Sequence, residues 1–236
     1  MATLAGLSET GNAYTITITD NSVAAAALNS LDGKTSVAIN ASNVTTLSGS
    51  YADLNTAFTA NSNGSISGLG NEAISVSGAV TTSQANTLAA ATSGVVNATI
   101  SDGDMATLAG LSETGNAYTI TITDNSVAAA ALNTLDGKTT VAINASNITT
   151  LSGAAADLNT AYASSGLSGL NNEAITLTDS SLAASVLNTL DGNTSGSINA
   201  NSINTITGTA ADLITAYASG GINGLGNEAI NVNSGN

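Results

Sequence analysis

The stretch YTITITDNSVAAAALNSLDG, residues 14–33, decides how this chain is read. It opens with β-branched apolar residues alternating with Thr, the period of a strand with one buried face. It runs on into an Ala/Leu segment, residues 22–33, in which Val23, Ala26, Ala27 and Leu31 have the spacing of a short amphipathic helix. An Asp/Asn/Ser start signal precedes that segment and Gly33 is its expected stop. The stretch returns at 118–137 with Thr134 in place of Ser30, and residues 1–29 recur unchanged as 105–133, a period of 104. A second period of 55 carries ITITDNSVAAAALNTLDG (120–137) onto ITLTDSSLAASVLNTLDG (175–192). Tandem strand-then-helix units of this kind are the signature of a solenoid.

The carboxylates follow the same register. Asp124, Asp136, Asp157 and Glu173 reappear 55 positions on as Asp179, Asp191, Asp212 and Glu228. The first long repeat carries three extra residues, Asn61 to Asn63, which reads as an insertion in a surface connection. The apolar residues ending the alternating stretches (Ile18, Ile39, Val76, Ile100, Ile122, Ile143, Leu177, Ile198 and Val232) lie 21 to 37 residues apart. They predict one solenoid over 1–236 with about nine coils, grouped in long repeats 1–104, 105–173 and 174–236. SGSYADLNTAF (48–58) and its two copies read as further helices with Ser or Thr caps. The predicted fold is an α/β repeat solenoid: a parallel sheet of stacked coils with short helices on the opposite side. A pure parallel β-helix is the alternative. At about 4.8 Å per strand, nine coils give a rod on the order of 40 Å.

Composition narrows the function classes. There is no Cys, His, Pro or Trp, and Lys34 and Lys138 are the only cationic side chains against 16 carboxylates, a formal charge of −14. Such a chain is repelled by phosphate backbones and anionic lipid, which argues against nucleic acid as a partner. No apolar run approaches the ~18 residues of a membrane span, so membrane insertion is not expected. Charged residues are 8% of the chain, far below the roughly 25% of ordinary domains. The 42% apolar fraction still supports a thin core of Ala, Val, Ile and Leu.

Few residues offer chemistry. The strand-end aspartates Asp20, Asp102, Asp124 and Asp179 are candidate calcium ligands, yet other coils place Ala41, Gly78, Ala145 and Ala200 there, so no ladder forms. Capping of the following helix or turn explains them better. Asp102 and Asp104 are the best single pair, but calcium wants roughly six to eight oxygens. LDGKT (31–35 and 135–139) ends like a phosphate loop without its first glycine, so no nucleotide cofactor is expected. Every carboxylate is a repeat position, whereas an active site is a singular constellation, so the expectation is a non-enzyme. The repeat-position aromatics, Phe58, Tyr162 and Tyr217 among them, read as packing.

One uncharged feature remains. Residues flanking the apolar positions should point outward: Thr17, Thr19, Asn40, Ser75, Ser77, Thr99, Ser101, Thr121, Thr123, Asn144, Thr176, Thr178 and Asn199. They would form a flat face of small polar side chains, suited to ice, glycan or packing of one rod on another. The plain alternative is that Thr, Ser and Asn fit a solvated pleat.

LNTLDGKT (132–139), INASNITTLSGAAADLNTAYAS (143–164), GLGNEAI (224–230) and AITLTD (174–179) resemble the tandem repeats of very large secreted or cell-surface, adhesin-like bacterial proteins, notably of marine cyanobacteria. The resemblance implies an extracellular or cell-surface structural module: a stalk, spacer or filament segment, with end-to-end or lateral contact between copies. It brings no catalytic residues. Residue 1 matches the internal Met105, so a piece of something longer is also expected.

Overall fold

A computed structural model describes residue 1 and residues 4–233 of the chain. The fold is α/β, and every strand pairing in it is parallel. Contacts group the chain into two compact units. One comprises Met1–Asp102, Gly110–Ile120 and Lys138–Val141; the other comprises Gly103–Ala109, Thr121–Gly137 and Ala142–Asn236.

In the first unit a 3-10 turn at Leu4–Gly6 precedes β1 (Ser22–Ala24), α1 (Ala25–Asp32), β2 (Ile39–Asn40), β3 (Thr46–Gly49), α2 (Tyr51–Asn63) and β4 (Ile66–Ser67). β5 (Ala73–Val80), α3 (Thr82–Ala91), β6 (Val96–Ile100) and β7 (Ala117–Thr119) follow. The strands form a sheet in the order β1-β3-β5-β6-β7 and a second, two-stranded sheet β2-β4. Helices fill the crossovers that parallel pairing requires.

The second unit holds α4 (Met105–Leu108), β8 (Ser126–Ala128), α5 (Ala129–Asp136), β9 (Ile143–Asn144), β10 (Thr150–Gly153), α6 (Ala155–Ala163) and β11 (Leu167–Ser168). It continues through β12 (Ala174–Leu177), β13 (Ser181–Ala183), α7 (Ala184–Asn193), β14 (Ile198–Asn199), β15 (Thr205–Gly208), α8 (Ala210–Ala218), β16 (Ile222–Asn223) and β17 (Ala229–Val232). Its sheets run β8-β10-β12-β14-β16, β9-β11 and β13-β15-β17.

Register explains the sequence periods. Ser126, Thr150 and Ala174 face one another at 24-residue intervals, as do Ser181, Thr205 and Ala229. The 55-residue period is two such intervals plus the seven residues from Ala174 to Ser181. The 21-to-37 spacing read from the sequence is therefore corrected to register steps of 20 to 27 residues, 24 being the step from β1 to β3 and along β8, β10 and β12. The longer gaps had skipped strands such as TLSG (46–49 and 150–153), which bury one apolar side chain each and show little alternation.

Apolar side chains stack along these registers. Val127, Leu151, Ile175, Ile198 and Ile222 face one another across five strands, and each is at least nine-tenths buried. Each fully buried Val, Leu or Ile contributes about 1.5–3 kcal/mol of transfer free energy, which lets such short strands persist. α1 buries Ala25, Leu28 and Leu31, and α5 and α7 bury the equivalent set.

Local readings needed correction. Ser22–Ala24, read as the start of a helix, is strand β1, because Val23 packs into the apolar row beside Leu47. The helix begins at Ala25 without a side-chain cap. Gly33 sits in right-handed helical geometry at φ −68°, and Gly192 lies inside α7, so neither glycine stops its helix through a left-handed turn. The alternating residues 14–20 make isolated pairings rather than a continuous strand, Thr17 with Asn40 among them. The three extra residues 61–63 lengthen α2 instead of a loop, since Gly64 at φ 83° supplies the left-handed cap further on.

Candidate functional site

All thirteen residues of the expected outward face are exposed. They do not form one ladder. In the first unit Thr17 pairs with Asn40, whose next neighbour is Ser67. Ser75 lies between Ser48 and Asn97, while Thr99 lies between Ala79 and Thr119 across the register shift in β5. Ser77 falls inside that shift, and Ser101 donates its N–H to Val80 O at 2.8 Å. Thr19 is exposed beside buried Ile18.

In the second unit Thr121 pairs with Asn144, and Asn144 with Ser168. Thr176 lies between Ser152 and Asn199, which leads on to Asn223. Thr123 and Thr178 donate their N–H groups to Gly103 O (2.8 Å) and Gly153 O (3.1 Å). Sequence reading missed Ser48, Ser67, Ser152, Ser168 and Asn223 because their strands are too short to alternate visibly, and passed over Asn97 at the head of an alternating strand. The asparagines are partly committed. Asn40, Asn144 and Asn199 each accept an N–H two residues on, from Ser42, Ser146 and Asn201 at 3.0–3.1 Å, closing Asx turns.

The carboxylates are tied to the backbone. Asp102 accepts Thr82 N–H at 2.6 Å, Asp124 accepts Met105 N–H at 2.6 Å, and Asp179 accepts Ala155 N–H at 2.8 Å. Each donor is the first residue of a helix that precedes the aspartate by 19 to 24 positions. The capping expectation is thus corrected in direction: the helix capped is the earlier one. Asp179 makes up for α6, whose N-cap is Ala154 without a side-chain bond. Asp20 forms an ion pair with the Met1 amino group. Asp104 caps α4 by accepting Thr107 N–H at 2.9 Å, and that bond with the Thr107 hydroxyl holds its carboxyl below the usual value. Asp136 and Asp191 accept hydroxyls from Ser164 and Ser219 at 2.6 and 2.7 Å. Asp102 and Asp104 thus each use one carboxylate oxygen to cap a different helix. Among the described residues no group of three or more His, Cys, Asp or Glu is placed to hold a metal ion.

A buried glutamate recurs. Glu173 is fully buried and accepts the Tyr162 hydroxyl at 2.8 Å and Asn171 N–H at 3.0–3.1 Å. Burial above all raises the Tyr162 phenol above its usual value; a bond with Thr194 opposes this, and the bond and charge of Glu173 add to the rise. Glu228 repeats the pattern with Tyr217, whose phenol is pushed up to about 12 by burial and by that carboxylate. Partial burial works to raise Glu228, but the Tyr217 hydroxyl and the amides of Gly226 and Asn227 outweigh it and hold the carboxyl low. In the first repeat Phe58 stands at the tyrosine position. Glu72 is fully buried there, accepts Gly70 N–H at 2.8 Å, and leaves Oε1 without a partner.

No family model, curated protein or solved structure matches the chain. No helix among the described residues is long and apolar enough to cross a membrane.

Proposed function

We propose that the chain is a structural repeat module, an α/β solenoid that serves outside the cell as a stalk, spacer or filament segment of a bacterial surface protein. One observation carries this reading. Several aspartates hold successive turns together instead of converging on a cleft. Asp102, Asp124 and Asp179 bond to the helix of the turn before, and Asp136 and Asp191 to a serine of the turn after. On this reading the protein has no catalytic activity and needs no cofactor, and calcium at millimolar concentration leaves its melting midpoint unchanged.

The test is to duplicate residues 150–173 in tandem, one 24-residue step. A stack of equivalent turns accepts the copy and melts cooperatively at or above the parent midpoint; loss of the cooperative transition refutes it. The second reading is a binding module for ice, glycan or a neighbouring rod, favoured by the contiguous exposed row Thr176, Asn199 and Asn223. Thermal hysteresis or a glycan-array signal lost on Thr176→Val would support it, and silence in both assays removes it.

A further inference from the structure

Residues 1–29 and 105–133 are identical, yet they do not have the same surroundings. On one side both copies are held alike. Ser36 N–H donates to Asn12 O and Thr140 N–H to Asn116 O, each at 2.9 Å. The Thr35 hydroxyl donates to Tyr14 O at 2.7 Å and the Thr139 hydroxyl to Tyr118 O at 2.8 Å.

On the other side, among the described residues, only the second copy has a partner, supplied by α3 and β6. β6 pairs with β7 through Ala98 and Tyr118. Val96 N–H donates to Asn116 Oδ1 at 2.8 Å. The Asn86 side chain of α3 closes a two-point clamp, donating to Gly110 O at 2.7 Å and accepting Ser112 N–H at 3.0 Å. Under this cover Tyr118 is 1% exposed, Leu111 2% and Asn116 5%, whereas Tyr14, Leu7 and Asn12 are half-buried. A depression lined by Met1, Leu4, Leu7 and Leu31 lies open beside them.

We propose that the surface of Gly6–Ser8 and residues 12–15 is a docking face for one further coil of the kind formed by residues 79–104. That coil is an N-capped Ala/Leu helix with an asparagine at the Asn86 position, followed by a strand of the VNATI type. Gly6 O and Ser8 N–H are the same groups that Asn86 clamps in the second copy, and Asn12 Oδ1 is the acceptor that Asn116 offers to Val96. The partner is polypeptide, because the backbone of residues 12–15 and the two-point clamp groups stand at spacings already matched by α3 and β6 in the second copy, beside an apolar depression. The proposal rests on the stacking of turns proposed above.

The test is a chain in which a second copy of residues 79–104 precedes Met1, so that Asp104 leads into Met1 as it leads into Met105. Amide hydrogen exchange of Ser8 is read in the extended and original chains, with Ser112 in each molecule as the internal reference. Docking slows Ser8 exchange by about tenfold or more, toward the Ser112 rate, and Asn86→Ala in the added copy alone abolishes the slowing. Unchanged Ser8 exchange beside a protected Ser112 overturns the docking face and leaves the stacking intact. An unprotected Ser112 sinks the stacking itself. Concentration-dependent protection of Ser8 in the original chain assigns the face to a second copy and overturns the coil as occupant.

Discussion

Removing the Tyr162 hydroxyl probes the contacts that hold one turn together more sharply than any core truncation, because the chain contains its own comparison. In Tyr162→Phe the ring stays and the 2.8 Å bond to the fully buried Glu173 is lost. Hydrogen bonds to charged groups are worth about 1.5–3 kcal/mol, and a buried carboxylate stripped of a donor carries a desolvation penalty of similar size. Asn171 N–H still bonds both Glu173 oxygens, which places the expected cost near the lower end, about 1.5–2 kcal/mol. The reverse change, Phe58→Tyr, brings a hydroxyl to the repeat position beside Glu72, whose Oε1 has no partner, and is expected to stabilise by about 1 kcal/mol. Urea unfolding followed by far-UV circular dichroism reads both changes as shifts in midpoint at unchanged slope. A neutral Tyr162→Phe refutes the hydroxyl–carboxylate bond as a structural contact; a destabilising Phe58→Tyr refutes the equivalence of the two positions.

Other consequences follow from single contacts. Gly196 lies so close to the Glu173 carbonyl that a Cβ would overlap it, so Gly196→Ala should cost more than about 2 kcal/mol and lower the melting midpoint sharply. Leu151 is fully buried between Val127 and Ile175 in its apolar row, and Leu151→Ala should cost about 2–5 kcal/mol in the same urea assay. Burial, with a smaller contribution from Glu113, pushes the Tyr118 phenol up to about 12, above its ordinary value of 10.0. A raised folded-state value gives stability that is present below pH 10 and lost as pH rises through 12, by up to about 2–3 kcal/mol. Melting midpoints should therefore fall between pH 10 and 12, and Tyr118→Phe should blunt that fall. At pH 7 the same substitution should stabilise by about 1 kcal/mol, since the Tyr118 hydroxyl is buried without a partner.

Parallel α/β pairing and the inward–outward alternation were legible because both rest on periodicity. Ile18, Ile122, Leu177 and Ile198 are buried while Thr19, Thr123, Thr178 and Asn199 beside them are exposed. The 24-residue step was hidden, since the strands that define it are two to four residues long and take their stability from rows formed across the fold. A lone Leu151 flanked by Thr and Ser carries no strand period of its own. The cap on α6 was equally invisible: Asp179 reaches it from 24 residues away, whereas capping rules look within one turn. The exposed face was located residue by residue, but its division into separate rows depends on strands the alternation did not reveal.

The central claim is that equivalent residues 24 apart stand side by side, and the absence of cysteine from the chain allows a direct measurement of it. Ser152 and Thr176 are register partners on β10 and β12, so their Cα atoms should lie about 5 Å apart. Disulfides span roughly 4.4–6.8 Å between Cα atoms. The account predicts that Ser152→Cys/Thr176→Cys cross-links on mild oxidation of the folded protein. Ser152→Cys/Thr178→Cys, about 8 Å apart by strand spacing and rise, should not. Equal cross-linking of the two pairs, or cross-linking of the second alone, would contradict the 24-residue register.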